Sequence, residues 1–145
     1  MLVSTVLIFC LAILILFFSY KKSVAGSSFS ETPFLWPLGI FVWGDGLILA
    51  PFWICMAVVM FFSRDWHLLY MLVSLFWLVR SAGEVIYWFN QQFSTLERNN
   101  PKHMLGYQLV KNDSVWYLYQ LFWQCIVIAS AAATLYTAAI WIQTI

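Results

Sequence analysis

Four apolar runs, each long enough to cross a bilayer, dictate what this chain can fold into. About 20 residues at 1.5 Å per residue span the roughly 30 Å of hydrocarbon in a membrane. The first run is Leu2 to Tyr20, and the second lies within Phe34 to Phe62. The third runs from about Trp66 to Asn90 and the fourth from about Val115 to Gln143. With no water in the hydrocarbon, a spanning segment has to satisfy its backbone internally, so each run predicts a helix. The expected fold is all-α: an integral membrane four-helix bundle forming a single transmembrane domain over residues 1–145.

Composition agrees with the membrane class. The chain is 63% hydrophobic and 9% charged, against about 25% charged in a soluble domain. A net charge of +1 offers no basic face for nucleic acid. Nine Trp are more than a bundle of this size needs, and interfacial belts account for many of them, Trp36, Trp66, Trp116 and Trp141 among them. Lys21 and Lys22 follow the first apolar run and no charge precedes it. That order predicts a retained transmembrane helix rather than a secretory signal, whose positive charge comes first.

Orientation follows from the loop cations. Lys21 and Lys22 fall in the first loop and Arg98, Lys102 and Lys111 in the third, with only Arg64 on the opposite side. The positive-inside rule then places loops one and three in the cytoplasm and both termini outside. The second and third spans are joined by the tight turn Ser63-Arg64-Asp65, and the longest connection carries the breaker Asn99-Asn100-Pro101.

The second run is longer than one span requires. Pro37, Gly39, Gly44, Gly46 and Pro51 interrupt it. Either it is one long kinked helix, or an interfacial stretch from Phe34 to Trp43 precedes a span that starts near Asp45. In the second case the Asp45 carboxylate would sit at a helix N-terminus, where free N–H groups and the macrodipole favour it.

Asp45, Arg80 and Glu84 are ionisable residues inside these runs, and intramembrane charges are functional candidates by default. Counted inward from the tight turn, Asp45 lies roughly 25 Å in, Arg80 roughly 21 Å and Glu84 roughly 27 Å. All three are thereby expected in the cytoplasmic half of the bilayer, with Gln120 and Gln124 of the fourth helix passing the same level. Arg80 and Glu84 are four apart on one helical face, in a stripe with Trp77, Ser81 and Trp88. The structural reading is an internal ion pair that fixes helix register. The functional reading is a polar pocket of net charge −1 walled by aromatics, including Trp77, Trp88 and Trp123. On the outer half of the fourth helix, Ala129, Ala133 and Thr137 recur every four positions as a ridge for close helix packing.

No phosphate loop or nucleophile elbow is present. Cys10, Cys55 and Cys125 have no C-x-x-C spacing, and His67 and His103 lie near opposite boundaries, so neither a metal site nor a cofactor is expected. In the outer half, Ser74, Ser130, Thr134 and Thr137 offer only hydroxyls to a proton or ion path.

The stretch Asp45-Gly-Leu-Ile-Leu-Ala-Pro51-Phe52 resembles a helix of the sigma-2 receptor and emopamil-binding (EXPERA) family, with an acidic residue six positions before Pro-Phe. Proteins of that family are four- or five-helix membrane bundles whose acidic residues face an aromatic cavity open to lipid. The resemblance implies that Asp45 is a ligand-facing acid. It covers eight residues, the acidic residue of the family's first helix is missing, and Arg80–Glu84 has no counterpart.

The expected function is therefore that of a multi-pass membrane protein whose polar cluster binds a lipophilic or cationic small molecule. The same features fit a small subunit that meets a membrane-protein partner or a second copy of itself. An enzyme of the lipid or sterol isomerase or transferase type would use Asp45 and Glu84 as acid and base. A proton- or cation-coupled transporter would use the same carboxylates as ion sites.

Overall fold

The computed structural model describes residues 2–95 and 99–144; Arg98, counted above in the third loop, lies outside the described residues. Among the described residues, four helices are long and apolar enough to cross a membrane: α1 (Leu2–Val24), α2 (Trp43–Ser63), α3 (Trp66–Phe93) and α5 (Val115–Ile142). A one-turn helix, α4 (Tyr107–Val110), and two 3-10 helices, Pro33–Leu38 and Pro101–His103, occupy the connections. Among the described residues there is no strand, only one isolated bridge between Glu31 and Val42. The chain forms two compact units, Met1–Leu69 and Tyr70–Ile145.

In the first unit α1 and α2 pack along a seam in which small residues alternate with large apolar ones. α1 buries Thr5, Ala12, Ile15 and Ser19, and α2 buries Gly46, Ala50, Trp53, Met56, Ala57 and Met60. Apart from the adjacent Met56 and Ala57, both lines step by three, four or seven, the spacing that keeps one helical face inward. A Cβ added at Gly46 would overlap Ser19 Oγ and lie 3.0 Å from Ser19 Cβ. The backbones therefore approach at a Gly46-x-x-x-Ala50 step, the small-xxx-small device of membrane helix pairs. The register runs Ser19 and Ile15 beside Gly46, then Ile8 and Thr5 beside Ala57 and Met60. α1 continues a turn past Tyr20, with Lys21 and Lys22 in its last turn, where positive charge favours the helix dipole.

The second apolar run is not one helix. Pro33–Leu38 is a 3-10 helix, Gly39 closes it at φ 73°, and α2 starts only at Trp43. The segment folds back beside α2, so that Leu35 and Ile40 share a core with Ile15 and Ala50. Irregular backbone in such a place needs its polar groups satisfied. Thr32 N–H donates to Phe41 O at 2.8 Å and Gly39 N–H to Trp36 O at 2.8 Å. Thr32 Oγ1 donates to Ile40 O at 2.9 Å, and the Trp53 indole donates to Leu38 O at 3.0 Å. The first turn of α2 is held in turn by loop carbonyls: Trp43 N–H donates to Ser30 O and Gly44 N–H to Ser28 O.

The turn into α3 is made by Arg64, left-handed at φ 52°, whose N–H reaches Met60 O. Asp65 Oδ1 accepts His67 N–H at 2.8 Å, an N-terminal cap.

In the second unit α3 and α5 run antiparallel, touching at three levels. Ser74 and Thr137 hydroxyls lie 3.1 Å apart, Trp88 and Tyr119 rings 4.7 Å apart, and Gln92 Nε2 donates to Gln120 Oε1 at 2.6 Å. The described part of the connection between them, from Asn99 on, carries short helices. Asn100 caps the 3-10 helix at Pro101 by accepting Lys102 N–H. Met104, Tyr107 and Val110 then pack over Trp88, Val115 and Trp116, and the Trp116 indole donates to Asn99 O at 3.1 Å.

Candidate functional site

Asp45 stands in the first turn of α2. Its Oδ2 accepts the N–H of Phe41 at 3.0 Å and of Val42 at 3.3 Å. These are two of the donors that the chain leaves open where it re-enters a helix, and the carboxylate also lies at the positive end of the macrodipole. Asp45 thus closes the loop onto α2, the capping geometry weighed above. An unsatisfied buried donor costs about 1–3 kcal/mol, so Asp45→Ala is expected to lower stability by about 1–3 kcal/mol in detergent unfolding. Asp45→Asn keeps an acceptor oxygen and caps nearly as well. It should fall within a few tenths of a kcal/mol of wild type, on the order of ordinary cap exchange. Equal damage by Asn and Ala would mean that the charge, and not the cap, is what matters there.

Arg80 and Glu84 meet on α3, Nη1 to Oε1 at 2.6 Å, with their side chains only 18% and 13% exposed. The i,i+4 spacing aligns them, and low exposure strengthens the charge-assisted bond. They lie roughly a quarter-turn round α3 from the line Ser74, Ser81, Trp88 and Gln92, three of which meet α5. The pair is therefore on a second polar face of α3, which also carries Trp77 and the buried Gln91. Asp45 belongs to the first unit and this pair to the second, so the single layer of three charges rests on the depth arithmetic of the sequence.

Trp88 is the centre of the aromatic site. It is 8% exposed and packs with Tyr119 and, edge-on at 5.2 Å, with Tyr87. Trp123 joins the same cluster. The indole Nε1 of Trp88 is buried without a hydrogen-bond partner among the described residues. A buried indole usually finds an acceptor, so this donor is the one strongly unsatisfied group of the site. Gln120 is engaged by Gln92, which also donates to Trp88 O at 3.2 Å. Gln124 is half-buried one turn further along α5, and Trp77 is half-buried with its ring edge-on to Phe76.

Sequence reasoning passed over Gln92 and Asn99. Gln92 was findable, since it follows Trp88 by four on the face that bears Ser74 and Ser81. Asn99 was not: its side chain donates to Tyr87 Oη at 2.5 Å across a connection whose path the sequence does not fix.

The hydroxyls of the other half turn back on their own helices. Ser74 donates to Tyr70 O, Ser130 to Ile126 O, Thr134 to Ser130 O and Thr137 to Ala133 O. The small-residue ridge divides: Thr137 meets Ser74, while Ala129 and Ala133 are exposed and Ser130 is buried.

Compared with known protein families, curated proteins and solved structures, the chain gives no match.

Proposed function

We propose that this protein is a four-helix integral membrane protein, with loops one and three cytoplasmic, that binds a neutral lipophilic molecule at the aromatic cluster around Trp88. The observation that carries this reading is the Trp88 indole N–H, more than nine-tenths buried and without an acceptor among the described residues. An unpaired donor in so dry a place costs about 1–3 kcal/mol. A hydroxyl, ester or ketone oxygen of a lipophile would remove that cost while its apolar body lies against Tyr119 and Trp123.

A neutral ligand fits better than a cation, because Glu84 is already bound to Arg80 and Asp45 to the loop backbone. The same engagements weigh against acid–base catalysis, where a carboxylate has to reach the proton it moves. The hydroxyls that a transport path would need are bonded to carbonyls three or four residues back.

A second reading, as a subunit, draws on α5. Only 6% of its apolar window is buried, and Ala129 and Ala133 present small residues to whatever lies beside them. A partner or a second copy would cover that face, and purification in mild detergent would then yield a complex or dimer.

The ligand reading is tested by extracting the purified protein with organic solvent and comparing wild type with Trp88→Phe by mass spectrometry. Phe keeps most of the ring packing and removes the orphan donor, so the variant should stay as stable as wild type while retaining far less of the copurifying lipophile. Equal recovery from both would end the proposal.

A further inference from the structure

We propose that the connection between α1 and α2 is itself a membrane-embedded element, with Phe34 and Trp36 seated at the boundary between headgroups and acyl chains. The inference rests on α1 and α2 crossing the bilayer and is independent of the Trp88 site.

The level of the segment is set by its partners. Leu35 and Ile40 pack with Ile15 and Ala50. Ile15 lies six residues before Lys21, roughly 9 Å further into the membrane at helical rise. Ala50 lies seven residues into α2, roughly 10 Å from its start. The indole of Trp53, deeper still, reaches up to Leu38 O, as expected for side chains that tilt toward a helix N-terminus. Headgroups occupy only about 5–8 Å on each side of the hydrocarbon. Lys21 and Lys22 are exposed, and if they hold the phosphate level, Pro33–Leu38 lies at or just beneath the start of the acyl chains.

The outward residues suit that level. Phe34 is 69% and Trp36 46% exposed, on a segment whose inward residue, Leu35, is buried. Large aromatics facing water would be unfavourable, whereas the interfacial zone favours Trp and the adjoining acyl chains accommodate Phe. The backbone bookkeeping points the same way. A water-facing loop has no need for Thr32, Trp53 and Asp45 to satisfy its amides and carbonyls from within, but one at hydrocarbon depth does. Lys21 and Lys22 at the rim complement the phosphates above.

The test uses full-length protein with Cys10, Cys55 and Cys125 replaced by serine, reconstituted in phosphatidylcholine vesicles. Spin labels are placed singly at Phe34→Cys, Trp36→Cys, Leu14→Cys and Ala25→Cys, and accessibility to oxygen and to a water-soluble nickel chelate is measured by power saturation. Leu14 is 54% exposed in mid-α1 and marks lipid; Ala25, exposed just past the end of α1, marks the aqueous side. Positions 34 and 36 should show oxygen-to-nickel ratios below that at 14, as the boundary requires, and several-fold above that at 25. Ratios matching position 25 would overturn the proposal. A low ratio at Leu14 itself would overturn its premise, that α1 spans, and so separates the two failures. Two exposed label sites keep the result readable if one substitution disturbs the fold.

Discussion

Gly46→Leu is expected to separate α1 from α2 and to unfold the first unit at temperatures where the wild type is intact. No side chain fits between Gly46 and Ser19, where even a methyl group overlaps the hydroxyl and Ile15 Cγ2 stands 3.4 Å away. Overpacking a close contact costs about 1–3 kcal/mol and sometimes more. Leucine there also displaces the core that holds Leu35 and Ile40, so a loss of about 3 kcal/mol or more is expected. Gly46→Ala should cost less, because Ser19 Oγ can rotate, and combining it with Ser19→Gly should recover most of the loss. Ser19→Ala alone should be neutral or slightly stabilising, since the Ser19 hydroxyl is buried without a partner among the described residues and its removal leaves nothing unsatisfied. Thermal unfolding of the four variants in one detergent decides the matter. A stable Gly46→Leu protein would mean that the two helices do not meet at this step.

Neutralising one member of the Arg80–Glu84 pair is expected to be the other severe change. Removing one partner of a buried pair strands the other charge, a loss of about 3–5 kcal/mol at full burial. With 18% and 13% of the side chains exposed, the lower end, about 3 kcal/mol, is the expectation for Arg80→Gln and for Glu84→Gln. The double variant should regain most of that loss, and the double-mutant cycle isolates the pair from its other contacts. Additive losses would show instead that each side chain is held by something other than its neighbour.

Much of the helical plan was legible because hydrophobic run length is a local signal. α3 and α5 begin where the apolar pattern begins, and Ser63-Arg64-Asp65 is a turn whose cap, Asp65, can be read directly. Asp45 was legible as an alternative, since an acid three residues past an extended residue is a capping spacing, but only the loop geometry assigns its two donors. The path of residues 25–42 was not legible. It depends on contacts distant in sequence, Trp53 to Leu38 and Leu35 to Ile15, that leave no periodicity to read. Trp88 stood out as one aromatic among many. That its indole lacks an acceptor among the described residues depends on how Met104, Tyr107 and Val110 pack on the cluster of Trp88, Val115 and Trp116, which no spacing rule supplies. Gly46-x-x-x-Ala50 is a known packing device, but a small-xxx-small pair does not say which helix it meets, and only the contact with Ser19 and Ile15 assigns it to α1.

The most direct measurement of the central claim is the indole N–H resonance of Trp88 in protein labelled with ¹⁵N-tryptophan and held in nanodiscs, assigned by its loss in Trp88→Phe. With the copurified lipophile present, the account predicts a downfield, hydrogen-bonded indole proton that moves upfield when the protein is stripped and returns when the extract is added back. A resonance that stays in place through stripping and reloading would show that nothing docks on Trp88, and the binding reading would fall.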